Sequence, residues 1–480
     1  MLALRLFFCP KQAISKICRY FLTLLFPNPV FVQSKKRKHT MIRLITIFTL
    51  LLQGLSVAAQ TSNLYFPPQN SENWTTESPA ALGFCNDRID SLYQFLEGRD
   101  TKSFILLHDG KIVLEKYFGT FVRDSFWYWA SAGKSLTSFL VGQAQDEGLL
   151  HIEDKTSQYL GIGWTSCPID KEDRITISGQ LTMTTGLEDN VPDDNCGDPA
   201  CLTYKADAGT RWAYHNAPYR LLHDVIQEAS GLTIQQFTKT RILDKTGMKG
   251  FWVDHIQYGR ARDMARFGLL TLANGIWNGD TLLRNQAYVA AMSTPSQMLN
   301  KSYGYLWWLN GQPSYMLPGL QFNIPGPLCP NAPPDMFAAL GKNDQKIHVV
   351  PSKGWVVVRQ GNPATAAGSP QVPVVFDNEL WAYLNALNCD PTATGEVNND
   401  APVLHIMPTI ATDGWYITSS APIRQVRIIN TTGQVVKTLT CRTGEKEIFM
   451  PADHLTAGLY FLECTGENGK RGALHFGFAQ

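Results

Sequence analysis

Ile89, Leu92, Phe95 and Leu96 recur at helical spacing behind an Asn86 able to cap, and predict a helix through Leu96. Two apolar runs at 104–107 and 112–114 flank Asp109-Gly110, a two-residue hairpin signal. From 131 to 145, Leu136, Phe139, Leu140 and Ala144 mark a buried helix that Gly148 stops. Helices are predicted over 217–229, 261–273, 284–292 and 377–387, and a closing hairpin from 347–350 and 355–358. Strands at both ends with helices between them predict an α+β domain whose termini meet in one sheet. The Pro/Gly-rich stretch 311–334 reads as a long irregular loop bordering a site.

The pattern changes beyond this domain. Residues 390–401, with Pro391 and Gly395, read as a linker. Short alternating runs at 403–406, 415–418, 425–429, 435–440, 447–449 and 458–463 then predict a small all-β sandwich over 402–480. At the other end, Met41 begins a leader pattern. Arg43 supplies the positive charge, 44–55 the apolar run, and 56–60 the small residues for cleavage. Residues 41–60 are therefore expected to be a signal peptide. Residues 1–40, apolar but broken by Pro10, Pro27 and Pro29, read as a mis-extended start or leader, with a longer membrane anchor as the alternative. The main domain is then 61–389.

Composition narrows the function. Apolar content of 44% and charged content of 17% describe a folded chain, and a net charge of +1 gives no electrostatic footprint for nucleic acid. The one basic run, 35–38, lies in the expected leader. Cys9 and Cys18 fall there too. The eight remaining cysteines, an even number, fit disulfides in an exported protein. Cys196 and Cys201 can close a small loop, and Cys441 and Cys464 can pair within the C-terminal module. No spacing of cysteines and histidines fits a metal site, and no cofactor is expected.

The chemistry centres on Ser131-Ala-Gly-Lys134 and Tyr214-His-Asn216. A serine and a lysine three residues apart share one helix face. A serine at a helix start lies among unpaired N–H donors and the positive end of the helix dipole, which favours an oxyanion. A desolvated Lys134 can serve as a base, and Tyr214 adds a phenol beside it. The structural alternative for Ser131 is a plain helix cap. A second Tyr-x-Asn, at Tyr383, lies in a predicted helix and reads as packing. Gly133-Lys134-Ser135 lacks the earlier glycine of a phosphate loop, its place being taken by Tyr128.

The stretches 129–136, 181–187, 208–216, 262–268 and 303–308, in this order, resemble the penicillin-binding-protein and serine β-lactamase superfamily, its class C and esterase-like branch. The resemblance covers about residues 80–388. It implies a β-lactamase/transpeptidase-like two-lobed fold, an antiparallel sheet flanked by helices plus a helical lobe, with the site between. It also implies that Ser131 is the nucleophile, Lys134 and Tyr214 the general bases, and Asn216 the holder of a substrate amide. The family's third motif falls on Lys342-Asn343-Asp344. Lys342 takes the basic position facing a substrate carboxylate or the tyrosine, and the N–H groups of Ser131 and Gln345 form the oxyanion site. Asp344 departs from the family's glycine. Its carboxylate is expected to lie near substrate, paired with Lys342, and to favour neutral esters or amides over β-lactams. The C-terminal stretches 425–434 and 455–462 resemble the sorting domain of type IX secretion cargo, which implies that machinery as a partner and a secreted or surface location.

The chain thus reads as a secreted serine hydrolase cleaving an ester or amide in a small-molecule or peptide substrate, of esterase, β-lactamase or D-Ala-peptidase type. The competing reading is a catalytically inactive binding module on the same fold.

Overall fold

The computed structural model describes residues 64–364, 374–389 and, with short interruptions, 404–478. The expected signal peptide, the segment before it, Cys9, Cys18 and the expected linker lie outside the described residues. The chain divides into two compact units, one ending at Leu387 and the other beginning at Asn388.

The first unit is built on a six-stranded antiparallel sheet. Its strands are β1 (Thr101–His108), β2 (Lys111–Tyr117), β6 (Trp308–Leu309), β7 (Phe337–Gly341), β8 (Gln345–Val350) and β9 (Trp355–Gly361), in the order β2-β1-β9-β8-β7-β6. A small second sheet joins β3 (Trp127–Tyr128), β4 (Gly250–Val253) and β5 (Ile256–Gly259). Five helices matter below: α1 (Asn86–Glu97), α2 (Gly133–Asp146), α3 (Asn216–Ser230), α4 (Ala261–Leu272) and α5 (Val374–Asn385). As predicted, the first and last strands share one sheet, with Leu106 of β1 opposite Val357 of β9.

Period-two alternation gives the sheet two apolar faces. Phe104, Leu106 and Val357 pack with Leu92 and Leu96 of α1 and with Phe376, Leu380 and Trp381 of α5. Ile105, Leu107, Val356 and Val358 pack with Phe139 of α2 and Phe267 of α4. Asp109 (φ 47°) and Gly110 (φ 83°) are both left-handed, the requirement of the tight β1–β2 turn. A Cβ on Gly110 would stand 1.9 Å from the Tyr65 carbonyl oxygen, so only glycine fits.

Two local expectations are corrected. Asn86 is the first helical residue and not the cap. Cys85 takes the cap position in extended conformation, its N–H bonded to the Leu387 carbonyl. The Cys441 and Cys464 thiols are free and do not pair. Cys464 lies opposite Val426, whereas Cys441 follows the strand Val435–Thr440 on the far side of Ile423–Asn430. One intervening strand puts roughly 10 Å between the two backbones, beyond a disulfide's span. The Cys196–Cys201 bridge is present, and Cys85 and Cys389 are each in a disulfide.

The second unit has a three-stranded and a five-stranded sheet. The first joins Leu404–Met407, Gly414–Ser419 and Glu447–Pro451. The second runs Ile410–Ala411, Arg471–Phe478, Gly458–Gly466, Ile423–Asn430 and Val435–Thr440. Trp415, Ile417, Val426, Ile428, Met450 and Leu462 form its core. The strands Ile410–Ala411 and Arg471–Phe478 were not expected; the first is too short to show alternation, and the second carries Gly472 and Gly477.

Candidate active site

Ser131 lies in a tight turn, Ala130–Ala132, that runs directly into α2. The sequence placed Ser131 as the first residue of the helix; it sits two residues earlier, in the preceding tight turn. Ala130 has φ 47°, a left-handed conformation that costs an L-residue free energy and holds the next side chain in a fixed direction. Every residue from Gly133 to Ala144 is buried, so the helix is a rigid mount. Ser131 itself is partly exposed.

Lys134 Nζ donates to Ser131 Oγ at 2.9 Å and to Asn216 Oδ1 at 2.7 Å. Lys134 is 2% exposed. Burial pushes its pKa down from 10.5 to about 7; Arg220 adds to the depression and the Asp194 carboxylate opposes it. The Tyr214 side chain lies beside Ser131, and Lys134 Nζ stands 4.9 Å from the centre of its ring. Burial raises the Tyr214 pKa, with the neighbouring Ser131 in partial opposition, so it is a neutral phenol near pH 7. Its ring is fixed by Trp308, stacked at 5.7 Å, and by the edge of Tyr303 at 6.2 Å.

The orientation of Asn216 follows from donor and acceptor chemistry. An ammonium only donates, so the atom facing Lys134 is the amide oxygen. Asn216 Nδ2 then donates to Asp194 Oδ2 at 2.8 Å. Asp194 also accepts, through its carbonyl, the N–H of Ala217 at 2.8 Å. It precedes the Cys196–Cys201 loop by two residues.

The third motif forms the turn between β7 and β8. A Cβ on Gly341 would meet the Trp129 carbonyl oxygen at 2.4 Å and the Ala132 nitrogen at 3.0 Å, so a glycine lets the end of β7 approach the serine turn. Asn343 (φ 61°) and Asp344 (φ 59°) are both left-handed. Gln345 is fully buried, and its side-chain amide donates to the carbonyls of Asn343 at 2.8 Å and Gly361 at 2.7 Å. Arg359 Nη1 donates to the carbonyls of Asn343 and Asp344, each at 3.0 Å. Asn343 Nδ2 donates to the Tyr128 hydroxyl at 2.7 Å. This turn is rigid before any substrate arrives.

Here the expectation for Asp344 fails. Its side chain is 1% exposed and belongs to the face of the sheet covered by α5. Asp344 Oδ1 pairs with Lys346 Nζ at 3.3 Å, and Oδ2 accepts the Ala364 N–H at 2.9 Å. Lys346 also pairs with Asp377 of α5 at 3.0 Å. Lys342 is exposed, and among the described residues its ammonium has no ion-pair partner. The left-handed turn and strand parity send residues 344 and 346 to the same side, away from Lys342. The preference for neutral substrates derived from Asp344 therefore has no basis.

The structure brings together Ser131, Lys134, Tyr214 and Asn216, and sets the turn bearing Lys342 and Gln345 against the serine turn. Sequence reasoning missed Asp194 and Tyr219. Tyr219 stands three residues after Asn216 and could have been found by helical spacing; Asp194 carried no signal. Tyr383, read as packing, stacks on Phe95 at 4.4 Å. The 311–334 loop reaches the site's wall, where Gln321 Nε2 donates to the Trp212 carbonyl at 3.1 Å.

Residues 93–257 match the family model described as Beta-lactamase, and residues 405–472 match the one described as Secretion system C-terminal sorting domain. The chain thus carries a β-lactamase-type domain, whose family comprises serine hydrolases, followed by a sorting domain. An uncharacterized protein of Alkalihalophilus pseudofirmus is 24% identical over 311 residues, covering 56% of this chain and 85% of that protein. A Bacillus anthracis structure provisionally named a 6-aminohexanoate-dimer hydrolase is 18% identical with a TM-score of 0.52, covering 68% of this chain and 89% of its own. A Bacteroides dorei structure provisionally named a beta-lactamase is 15% identical with a TM-score of 0.51, covering 63% of this chain and 99% of its own. These likenesses show the β-lactamase/transpeptidase-like α+β fold. The sorting domain indicates secretion by the type IX system to the cell surface or exterior. No helix among the described residues is long and apolar enough to cross a membrane.

Proposed function

We propose that the first unit is a serine hydrolase that forms an acyl-enzyme on Ser131. The supporting observation is the convergence at Ser131: Lys134 Nζ stands 2.9 Å from Ser131 Oγ and 4.9 Å from the centre of the Tyr214 ring. With a pKa near 7, Lys134 is neutral often enough to take the serine proton. Oγ attacks the carbonyl carbon, and the oxyanion forms between the N–H groups of Ser131 and Gln345. Tyr214, protonated at neutral pH, gives its proton to the leaving group and recovers one from Lys134. The sequence reading made both groups bases; burial, which lowers the lysine pKa and raises that of the tyrosine, favours lysine as base and tyrosine as donor. Water then releases the acyl group by the reverse proton path. Asn216 anchors Lys134 through its oxygen and keeps one amide hydrogen for a substrate carbonyl. Lys342, exposed on the turn that leads to Gln345, is proposed to meet an anionic end of the substrate. Export is proposed through the signal peptide at 41–60.

Mass spectrometry after incubation with a fluorophosphonate tests this reading. The expected result is one adduct, on Ser131. An unlabelled, folded protein would favour the inactive binding module. A panel of p-nitrophenyl esters, nitrocefin and D-Ala-D-Ala peptides then sorts the substrate class, since these activities share catalytic groups and differ in pocket shape.

The pH dependence follows from Lys134. The lysine must be neutral to act, so kcat/KM should rise tenfold per pH unit on the acid side and level off above about pH 7. Hydrolysis of a neutral ester from pH 5.5 to 9 checks this; a flat profile would remove Lys134 as the base.

A further inference from the structure

We infer that Tyr219 is a positioning residue for the base of the hydrolase proposed above: its ring face receives the Lys134 ammonium in place of the water that burial removes. Asn216 and Tyr219 share the first turn of α3, three residues apart, and so project side by side. Asn216 holds Lys134 Nζ by its amide oxygen, and the same nitrogen stands 4.0 Å from the centre of the Tyr219 ring. The Tyr214 ring is farther, at 4.9 Å. Tyr219 is 4% exposed, and its hydroxyl donates to the His255 carbonyl at 3.2 Å, which fixes the ring's tilt. The other groups facing Lys134 are Ser131 Oγ, the Asp194 carboxylate from the loop before α3, and the Arg220 guanidinium from α3 itself.

The need for such a group is chemical. During acylation the serine proton moves to Lys134 as the Oγ–carbon bond forms. It leaves through Tyr214 as the bond to the leaving group breaks. The lysine is therefore an ammonium for part of each turnover, in a place where burial disfavours that form. A carboxylate in contact would hold the proton too firmly. The electron-rich face of an aromatic ring stabilises a cation to a smaller degree and neither takes nor gives a proton. A leucine would occupy part of the space without that face. This inference rests on the hydrolase reading.

The test is the pH dependence of Ser131 labelling by a fluorophosphonate, followed by intact mass on the full protein. Tyr219→Phe keeps the ring and should leave the acid limb nearly in place. Ring-fluorinated phenylalanines at position 219 keep shape and burial while draining the face of electron density. They should move the acid limb to lower pH in steps, by on the order of one pH unit for the fully fluorinated ring, and slow labelling on the plateau as the base weakens. Tyr219→Leu should behave like the fully fluorinated ring. A limb that stays fixed or moves upward across the series overturns the inference while leaving the hydrolase intact. Absence of any Ser131 adduct in the unaltered protein overturns the hydrolase reading and this inference with it.

Discussion

Lys134→Arg should abolish acylation of Ser131 as completely as Lys134→Ala does. The exchange keeps the positive charge and loses the base, because a guanidinium does not deprotonate near neutral pH. The pocket is also wrong for it. Nζ is confined between Ser131 Oγ at 2.9 Å, Asn216 Oδ1 at 2.7 Å and the Tyr219 ring at 4.0 Å, which leaves no room for a planar fork. The loss should be at least the roughly 10²–10⁴-fold associated with a general base. Labelling rate and ester turnover, with circular dichroism to confirm folding, measure it. An arginine variant labelled at the normal rate would reduce Lys134 to an electrostatic role. A linked effect concerns stability. The folded pKa lies below the unfolded value, so between about pH 7 and 10.5 the unfolded chain holds the extra proton. The contribution of Lys134 to stability therefore rises with pH across that window, and near neutrality the base is destabilising.

The second large effect is on folding. Lys346→Ala should destabilise the first unit by about 3–5 kcal/mol. Lys346 is fully buried between Asp344 at 3.3 Å and Asp377 at 3.0 Å, and its loss leaves two buried carboxylates without that cation. Burial works against ionisation of Asp377, yet Lys346 and His348 outweigh it and hold its pKa below the ordinary value. That stabilisation is present above the usual carboxylate range and disappears as pH falls through the depressed pKa. Exposed Lys342, by contrast, should tolerate alanine within about 0.5 kcal/mol. Chemical denaturation of the three proteins at pH 7 makes the comparison. A Lys346→Ala protein as stable as the parent would mean that the buried pair is structurally idle.

The contrast between these two lysines shows what the chain disclosed in advance. Ser131, Lys134, Tyr214 and Asn216 were legible because a three-residue spacing on a helix and a short loop motif each fix geometry locally. The two-sheet architecture of the second unit was legible from alternation alone. Asp344 was not. Its direction depends on two successive left-handed residues and on which side of β8 the strand's parity assigns, and neither is written in the residue types. Asp194 reaches the site only because a loop folds back over α3, a contact between segments that sequence pattern does not register. Cys441 and Cys464 look like a pair until the strand between them is placed.

One feature of the sheet bears on how the molecule comes into being. Leu106 has its partner in Val357, about 250 residues later. A chain emerging amino end first offers β1 and β2 as a lone hairpin, which is marginal in water, until β9 arrives. Contacts this distant make folding slow, and Gly341 meets the serine turn only near the end. During synthesis Ser131 therefore exists before the turn bearing Gln345 can pack against it. The proposed site is thus completed late, and a nascent fragment ending before β9 should be sensitive to protease and unreactive toward a fluorophosphonate.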